Sequence, residues 1–162
     1  MLPFRTILHA TDFSEHSGFA FWLACALARD YGARVVVVHV VTPTPVAGYA
    51  EGVFIPDPQP SHDKLRELLQ SVRPTDPKIP VEHRMVEGDA ADEIVRTAQE
   101  TKCDLIVIGT HGRSGFGRLL MGSVAEDVLR GAPCPVVTVR QALPETASAS
   151  QATAKDAVVA SR

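Results

Sequence analysis

The chain has 162 residues, 45% of them hydrophobic and 22% charged, enough for one domain around a single core. A formal net charge of −3, with no Lys/Arg-rich run, argues against nucleic-acid binding through a broad basic surface. Three cysteines, Cys25, Cys103 and Cys134, are odd in number and far apart, which excludes a disulfide framework or CxxC metal or redox pair and points to a reducing cytosol.

Taken in chain order, Met1-Leu2-Pro3-Phe4-Arg5 offers no basic segment leading into an apolar stretch, so no signal peptide is expected. Thr6–His9 is the first strand. Ser14–Asp30 follows as a helix, with Ala20, Leu23, Ala24 and Leu27 on one face and Gly32 just past its end. Its apolar stretch Phe19–Ala28 is too short to cross a bilayer, which takes roughly 20 residues. A cytoplasmic protein without membrane contact is expected. Val35–Val41, interrupted only by His39, has the pattern of a central strand buried on both faces. His9 and His39 are expected as hydrogen-bonded core histidines.

Thr42–Pro60 carries five of the twelve prolines and two glycines. It is longer than the about 12–15 residues of an ordinary loop, which marks it as functional or disordered. Leu65, Leu68, Leu69 and Val72 recur at helical spacing, and Pro74 and Pro77 end that helix. Val81–Val86 partly alternates polar with apolar, as an edge strand does. Asp89 caps the next helix, which buries Ala91, Ile94, Val95 and Ala98. Leu105–Ile108 is an apolar strand, Ser123–Arg130 a short helix closed by Gly131 and Pro133, and Pro135–Val139 the last strand. From Gln141 the sequence is rich in Ala, Ser and Thr without a period, so residues 141–162 are expected as a disordered tail behind a domain over 1–140. The alternation of strands and helices predicts an α/β fold with a parallel sheet and crossover helices.

The chemistry concentrates between Gly109 and Ser123, where a buried strand runs into a helix N-terminus. Glycines let a backbone approach phosphate oxygens, the first N–H groups of a helix lack partners, and the macrodipole adds partial positive charge. Arg113 and Arg118 add full charges at the rim. The segment is no P-loop, since GxxxxGK[ST] is missing, and Leu120 stands where a GxGxxG would need its third glycine. Ser123-Val124-Ala125-Glu126 also fits a capping box, a role compatible with a hydroxyl that touches phosphate. Four glycines within Gly109–Gly117 exceed what a turn needs and favour a ligand. The six histidines show no metal-ligand spacing, so no metal-binding residue is assigned.

The spacing Gly109-x2-Gly112-x9-Gly122-Ser123 resembles the ATP-binding signature of the universal stress protein family, and Ile7–Ser14 and Gly122–Val136 resemble its first strand and its closing helix and strand. The resemblance covers roughly Pro3–Arg140. It implies an open five-stranded parallel sheet of order 3-2-1-4-5, Rossmann-like with helices on both faces, and a ligand at the switch point of strand order. It implies that Asp12 accepts hydrogen bonds from ribose or base and that the backbone of Val40 reads adenine. Gly109 and Gly112 let the nucleotide pass close to the main chain, and Gly122, Ser123 and Val124 hold phosphate. His111 and Arg113 occupy variable positions of the motif. Ala10 replaces a proline found in some relatives.

The function this implies is an ATP-binding stress or signalling module, with Mg²⁺ accompanying the phosphates, AMP or a cyclic nucleotide being alternative ligands. A slow ATPase or phosphotransferase, or a nucleotide-independent interaction module, are the competing readings. No catalytic residue is assigned, since His111 is the sole candidate to orient water. The implied order makes Pro135–Val139 an edge whose bare valines invite pairing, and members of the family often dimerise antiparallel across such an edge, so a homodimer is expected there.

Overall fold

The structure, a computed structural model, describes residues 4–43, 49–50, 53–54, 60–110 and 122–140. Eleven elements follow in order: β1 (Thr6–Ala10), α1 (Glu15–Tyr31), β2 (Arg34–Val41), β3 (Tyr49–Ala50), β4 (Val53–Phe54), α2 (His62–Ser71), β5 (Val81–Glu87), α3 (Ala90–Thr101), β6 (Leu105–Gly109), α4 (Ser123–Gly131) and β7 (Val136–Val139). The main sheet has the order β5-β2-β1-β6-β7 and every neighbouring pair in it is parallel. Counting only its own strands, this is the 3-2-1-4-5 order. The proposed tail at 141–162 lies outside the described residues.

Parallel pairing explains the sequence of the central strands. A strand covered by helices on both faces has no solvent side, so both alternating sets of side chains are apolar. Ile7, Val35, Val37, Leu105 and Val107 point to one face, where Ala20, Ala24 and Ala28 of α1 and Leu69 of α2 cover them. Leu8, Val36, Val38, Ile106 and Ile108 point to the other, against Ala91, Ile94 and Ala98 of α3 and Ala125 and Val128 of α4. Burial of a valine or isoleucine side chain is worth about 1.5–3 kcal/mol, and that driving force fixes the register. Val95, expected in the core, is half-buried because it faces α4, where its Cγ2 lies 3.3 Å from the position a Cβ on Gly131 would take. Thr97 takes the fully buried place instead, with its hydroxyl donating to the Glu93 carbonyl at 2.7 Å.

The helix boundaries have local causes. Ser14, Ser61 and Asp89 cap α1, α2 and α3 by accepting from backbone N–H groups in the first turn. Gly32 ends α1 in the left-handed conformation (φ 66°), which costs glycine nothing. Two departures from expectation stand out. The long segment 42–60 contains strands of its own, β3 and β4, paired antiparallel with Tyr49 opposite Phe54; two-residue strands are too short for periodicity to register. The α4 cap is Gly122, not Ser123: its backbone is extended (φ −60°, ψ 147°) and its carbonyl accepts from Glu126 N–H at 3.1 Å. The capping box therefore does not form, and the Glu126 carboxylate pairs with Arg130 at 2.6 Å instead.

The two edges of the sheet differ in chemistry. Among the described residues β5 pairs only with β2, and a chain of charge runs across it: Arg34 to Glu82 at 3.0 Å, Glu82 to Arg84 at 2.7 Å, and Arg84 to Glu100 at 3.2 Å. Among the described residues β7 pairs only with β6, and it is built of Val136, Val137, Thr138 and Val139. No helix among the described residues is long and apolar enough to cross a membrane.

Candidate functional site

β1 lies between β2 and β6, and the helices that follow β1 and β6 leave toward opposite faces. Their divergence opens a crevice at the C-terminal ends of these strands, where open α/β sheets hold ligands. One wall is the turn from β1 into α1. Thr11 N–H continues the ladder to the Val38 carbonyl at 2.9 Å. Asp12 Oδ1 accepts from Ser14 N–H at 3.0 Å and from the Ser14 hydroxyl at 2.6 Å. Ser14 Oγ in turn accepts from Ser17 N–H at 3.2 Å. Ser14 is thus the helix cap and Asp12 fixes its rotamer, while Asp12 itself lines the crevice.

Between them Phe13 adopts φ 65°, a conformation that costs a residue with a Cβ about 1–3 kcal/mol unless its surroundings enforce it. Those surroundings are visible. Phe13 N–H donates to Thr11 Oγ1 at 3.1 Å, and its ring stacks on His39 with centroids 4.3 Å apart. His39 Nδ1 donates to the Thr11 carbonyl at 2.8 Å.

Below this turn lies a buried polar chain. The Thr11 and Ser17 hydroxyls are 2.7 Å apart, Ser17 Oγ is 3.4 Å from His9 Nε2, and His9 Nδ1 is 3.1 Å from the Val107 carbonyl. A carbonyl only accepts, so Nδ1 carries the ring proton and Nε2 is an acceptor facing Ser17. Full burial lowers the His9 pKa to about 4, against the opposing pull of the Val107 hydrogen bond and the Asp12 charge. Both histidines are hydrogen-bonded as expected; His9 lies in the core, whereas His39 is half-buried and also lines the crevice.

The other wall comes from β6 and α4. A Cβ on Gly109 would lie 3.3 Å from the His16 carbonyl oxygen, so glycine here lets α1 sit close to β6. Gly122 N–H donates to the Thr110 carbonyl at 2.8 Å, and a Cβ on Gly122 would come within 2.9 Å of the same oxygen. Backbone cannot yield as a flexible side chain can, so Gly122 is required by this approach. With glycine as the cap, α4 has no side-chain cap hydrogen bond, and its first N–H groups open toward the crevice.

The crevice encloses about 240 Å³ and brings together Asp12, Val40, Gly109, Gly122, Ser123 and Val124. His111, Gly112 and Arg113 lie outside the described residues. Sequence reasoning missed Thr11, Ser17 and Thr42, which also line it; a polar residue directly after an apolar strand was the available signal for Thr11 and Thr42. Asp12 is the one carboxylate among the described lining residues.

Residues 3–140 match the model of the universal stress protein family. The chain belongs to this family. A universal stress protein of Methanocaldococcus jannaschii is 36% identical over 141 residues, covering 85% of this chain and 83% of its own. Among solved structures, a universal stress protein in complex with cAMP has a TM-score of 0.58 at 27% identity, over 86% of this chain and 98% of that one. The universal stress protein of Archaeoglobus fulgidus in complex with dAMP has a TM-score of 0.59 at 24% identity, over 86% and 100%, a likeness of fold.

The buried histidine sets an acid limit on the fold. Native His9 stays neutral down to about pH 4, whereas in the unfolded chain the ring protonates near 6.5. Between these values the unfolded state binds more protons, so the contribution is complete above about pH 6.5 and lost as pH falls toward 4. It amounts to about 3 kcal/mol. Urea unfolding at pH 7 and pH 4.5 should show a smaller loss in His9→Gln than in the native chain; equal losses would remove His9 as the cause.

Proposed function

We propose that this universal stress protein binds an adenine nucleotide in the crevice, ATP with Mg²⁺ in the first instance, and acts as a binding module in stress or signalling. The observation that carries the reading is the glycine-capped start of α4, whose N–H groups at Ser123, Val124 and Ala125 open toward the crevice at the switch point of the sheet. Such a helix end favours an anion through unpaired donors and the macrodipole. The relatives solved with cAMP and dAMP support a nucleoside phosphate as the occupant. Asp12 suits ribose hydroxyls, because a carboxylate accepts and a sugar hydroxyl donates. Val40 of β2 and Ile94 of α3, which line the crevice, offer the more apolar ground a base needs.

Mg²⁺ would depend on the phosphates for ligands. Asp12 is the sole carboxylate in the described lining, and its Oδ1 already accepts two hydrogen bonds. His9 is enclosed behind Ser17 and neutral, which leaves it to position the turn and not to activate water.

Ser123→Glu separates ligand binding from folding. A carboxylate in the first turn of α4 suits the macrodipole, so unfolding stability stays level or rises. The same charge repels phosphate. Calorimetric titration should show ATP or AMP affinity falling at least tenfold, about 1.4 kcal/mol, with adenosine little affected. Unchanged nucleotide affinity, or no binding to the native chain, would contradict the proposal.

The same reading includes a homodimer through Pro135–Val139. It is supported by the contrast of edges, the β5 side carrying charge and β7 carrying valines and a threonine. The Pro135 and Val139 carbonyls accept from β6 and its extension at 3.0 Å, so by alternation Thr138 N–H faces away from the sheet. Thr138→Pro removes that outward donor while leaving the β6 ladder intact. Light scattering should give a dimeric mass for the native chain and a monomeric mass for the variant; a native monomer would refute the interface.

A further inference from the structure

Cys103 and Cys134 are 31 positions apart in the chain, yet their sulfurs lie 3.5 Å from each other, in contact. The widely spaced cysteines of the sequence thus include a spatial pair. The fold creates it at the end of the sheet opposite the crevice. Cys103 leaves the C-terminus of α3, its N–H bonded to the Ala98 carbonyl at 3.0 Å, directly after Lys102 in the left-handed conformation. Cys134 stands between Pro133 and Pro135, whose rings stiffen the segment. The Pro135 carbonyl accepts from Ile106 N–H at 3.0 Å. Both cysteines therefore sit on backbone pinned to the start of one parallel strand pair, where neighbours run about 4.8 Å apart. The β6–β7 register places Cys134 one position from Cys103 across this gap, and strands so spaced bring such neighbours within the Cα separations a disulfide spans.

Exposure distinguishes the two. Cys103 is buried and Cys134 half-buried, which makes Cys134 the more accessible residue of the pair. Both pack against the α3–α4 face of the sheet, whereas Cys25 belongs to the core on the other face.

We propose that Cys103 and Cys134 form an oxidation site at which a hydroperoxide closes an intramolecular disulfide. The Cys134 thiolate attacks the hydroperoxide, the O–O bond breaks, and the departing oxygen leaves as water or an alcohol with the proton lost by the thiol. Cys134 is then a sulfenic acid. Cys103 attacks that sulfur, the S–O bond breaks, and the hydroxyl leaves as water with the Cys103 proton. Two thiols lose two electrons and two hydrogens in all, and the hydroperoxide takes them up.

Burial holds both thiols above the usual cysteine range, and Cys134, the less buried of the two, is the one a hydroperoxide meets first. A pair held this way ignores trace oxidant and responds to abundant peroxide. Its second step needs no search for a partner, because the two sulfurs are already in contact. The disulfide would enclose β6 and α4 in one covalent loop, including the helix end that faces the crevice.

The test is intact mass and non-reducing peptide mapping of the folded chain after hydrogen peroxide, with and without later dithiothreitol. The expected result is a loss of two hydrogens per chain, a peptide linking Cys103 to Cys134, and full reversal by the reductant. Cys25→Ala should leave this link in place, and Cys134→Ser should abolish it. Oxygen added to Cys134 without a cross-link, a link between two chains, or no change under peroxide that oxidises a free thiol peptide would overturn the proposal. The native chain's peptide map decides the matter even if Cys134→Ser fails to fold.

Discussion

The rest of the molecule depends on the position of β1 between β2 and β6, paired parallel with both. A central strand covered on each face must be apolar throughout, which accounts for the valine and isoleucine runs. It also obliges the helices after β1 and β6 to leave in opposite directions, and the space between their first turns is the crevice. The binding site is therefore a consequence of strand order, and its chemistry is supplied by whatever follows the two strands. After β1 that is a hydrogen-bonded turn of Thr11, Asp12 and Ser14. After β6 it is Thr110, whose carbonyl holds Gly122 at the start of α4.

Much of this architecture was legible in the sequence. The branched runs at Thr6, Val35 and Leu105 announced buried strands, the partial alternation at Val81 announced an edge, and Asp89 marked its helix start. The strand order came from the family signature, since periodicity alone says nothing about which strands are neighbours. Six of the nominated site residues, Asp12, Val40, Gly109, Gly122, Ser123 and Val124, meet in one crevice.

What the sequence hid was contact between distant residues. Gly109 was nominated for close approach to a nucleotide and Gly122 for holding phosphate. Their Cβ positions are blocked by protein backbone, at His16 and at Thr110 respectively. Close packing and ligand access place the same demand on a glycine, and sequence cannot separate them. The hydroxyl chain from Thr11 through Ser17 to His9 joins a strand to a helix that covers it, and no local pattern reports such a link. The Cys103–Cys134 contact is of the same kind, produced by parallel strands brought side by side. The shift of the α4 cap from Ser123 to Gly122 is a one-residue matter, yet it leaves the serine hydroxyl uncommitted to capping.

Whether the crevice holds phosphate at α4 is tested most directly by the backbone itself. In a ¹⁵N-resolved NMR titration of the labelled chain, AMP should move the amide signals of Ser123, Val124 and Ala125 well beyond the shifts adenosine causes. Signals from Thr11, Asp12 and Val40 should respond to both ligands. Shifts that avoid α4 and gather elsewhere, such as along β5 or α2, would contradict the account.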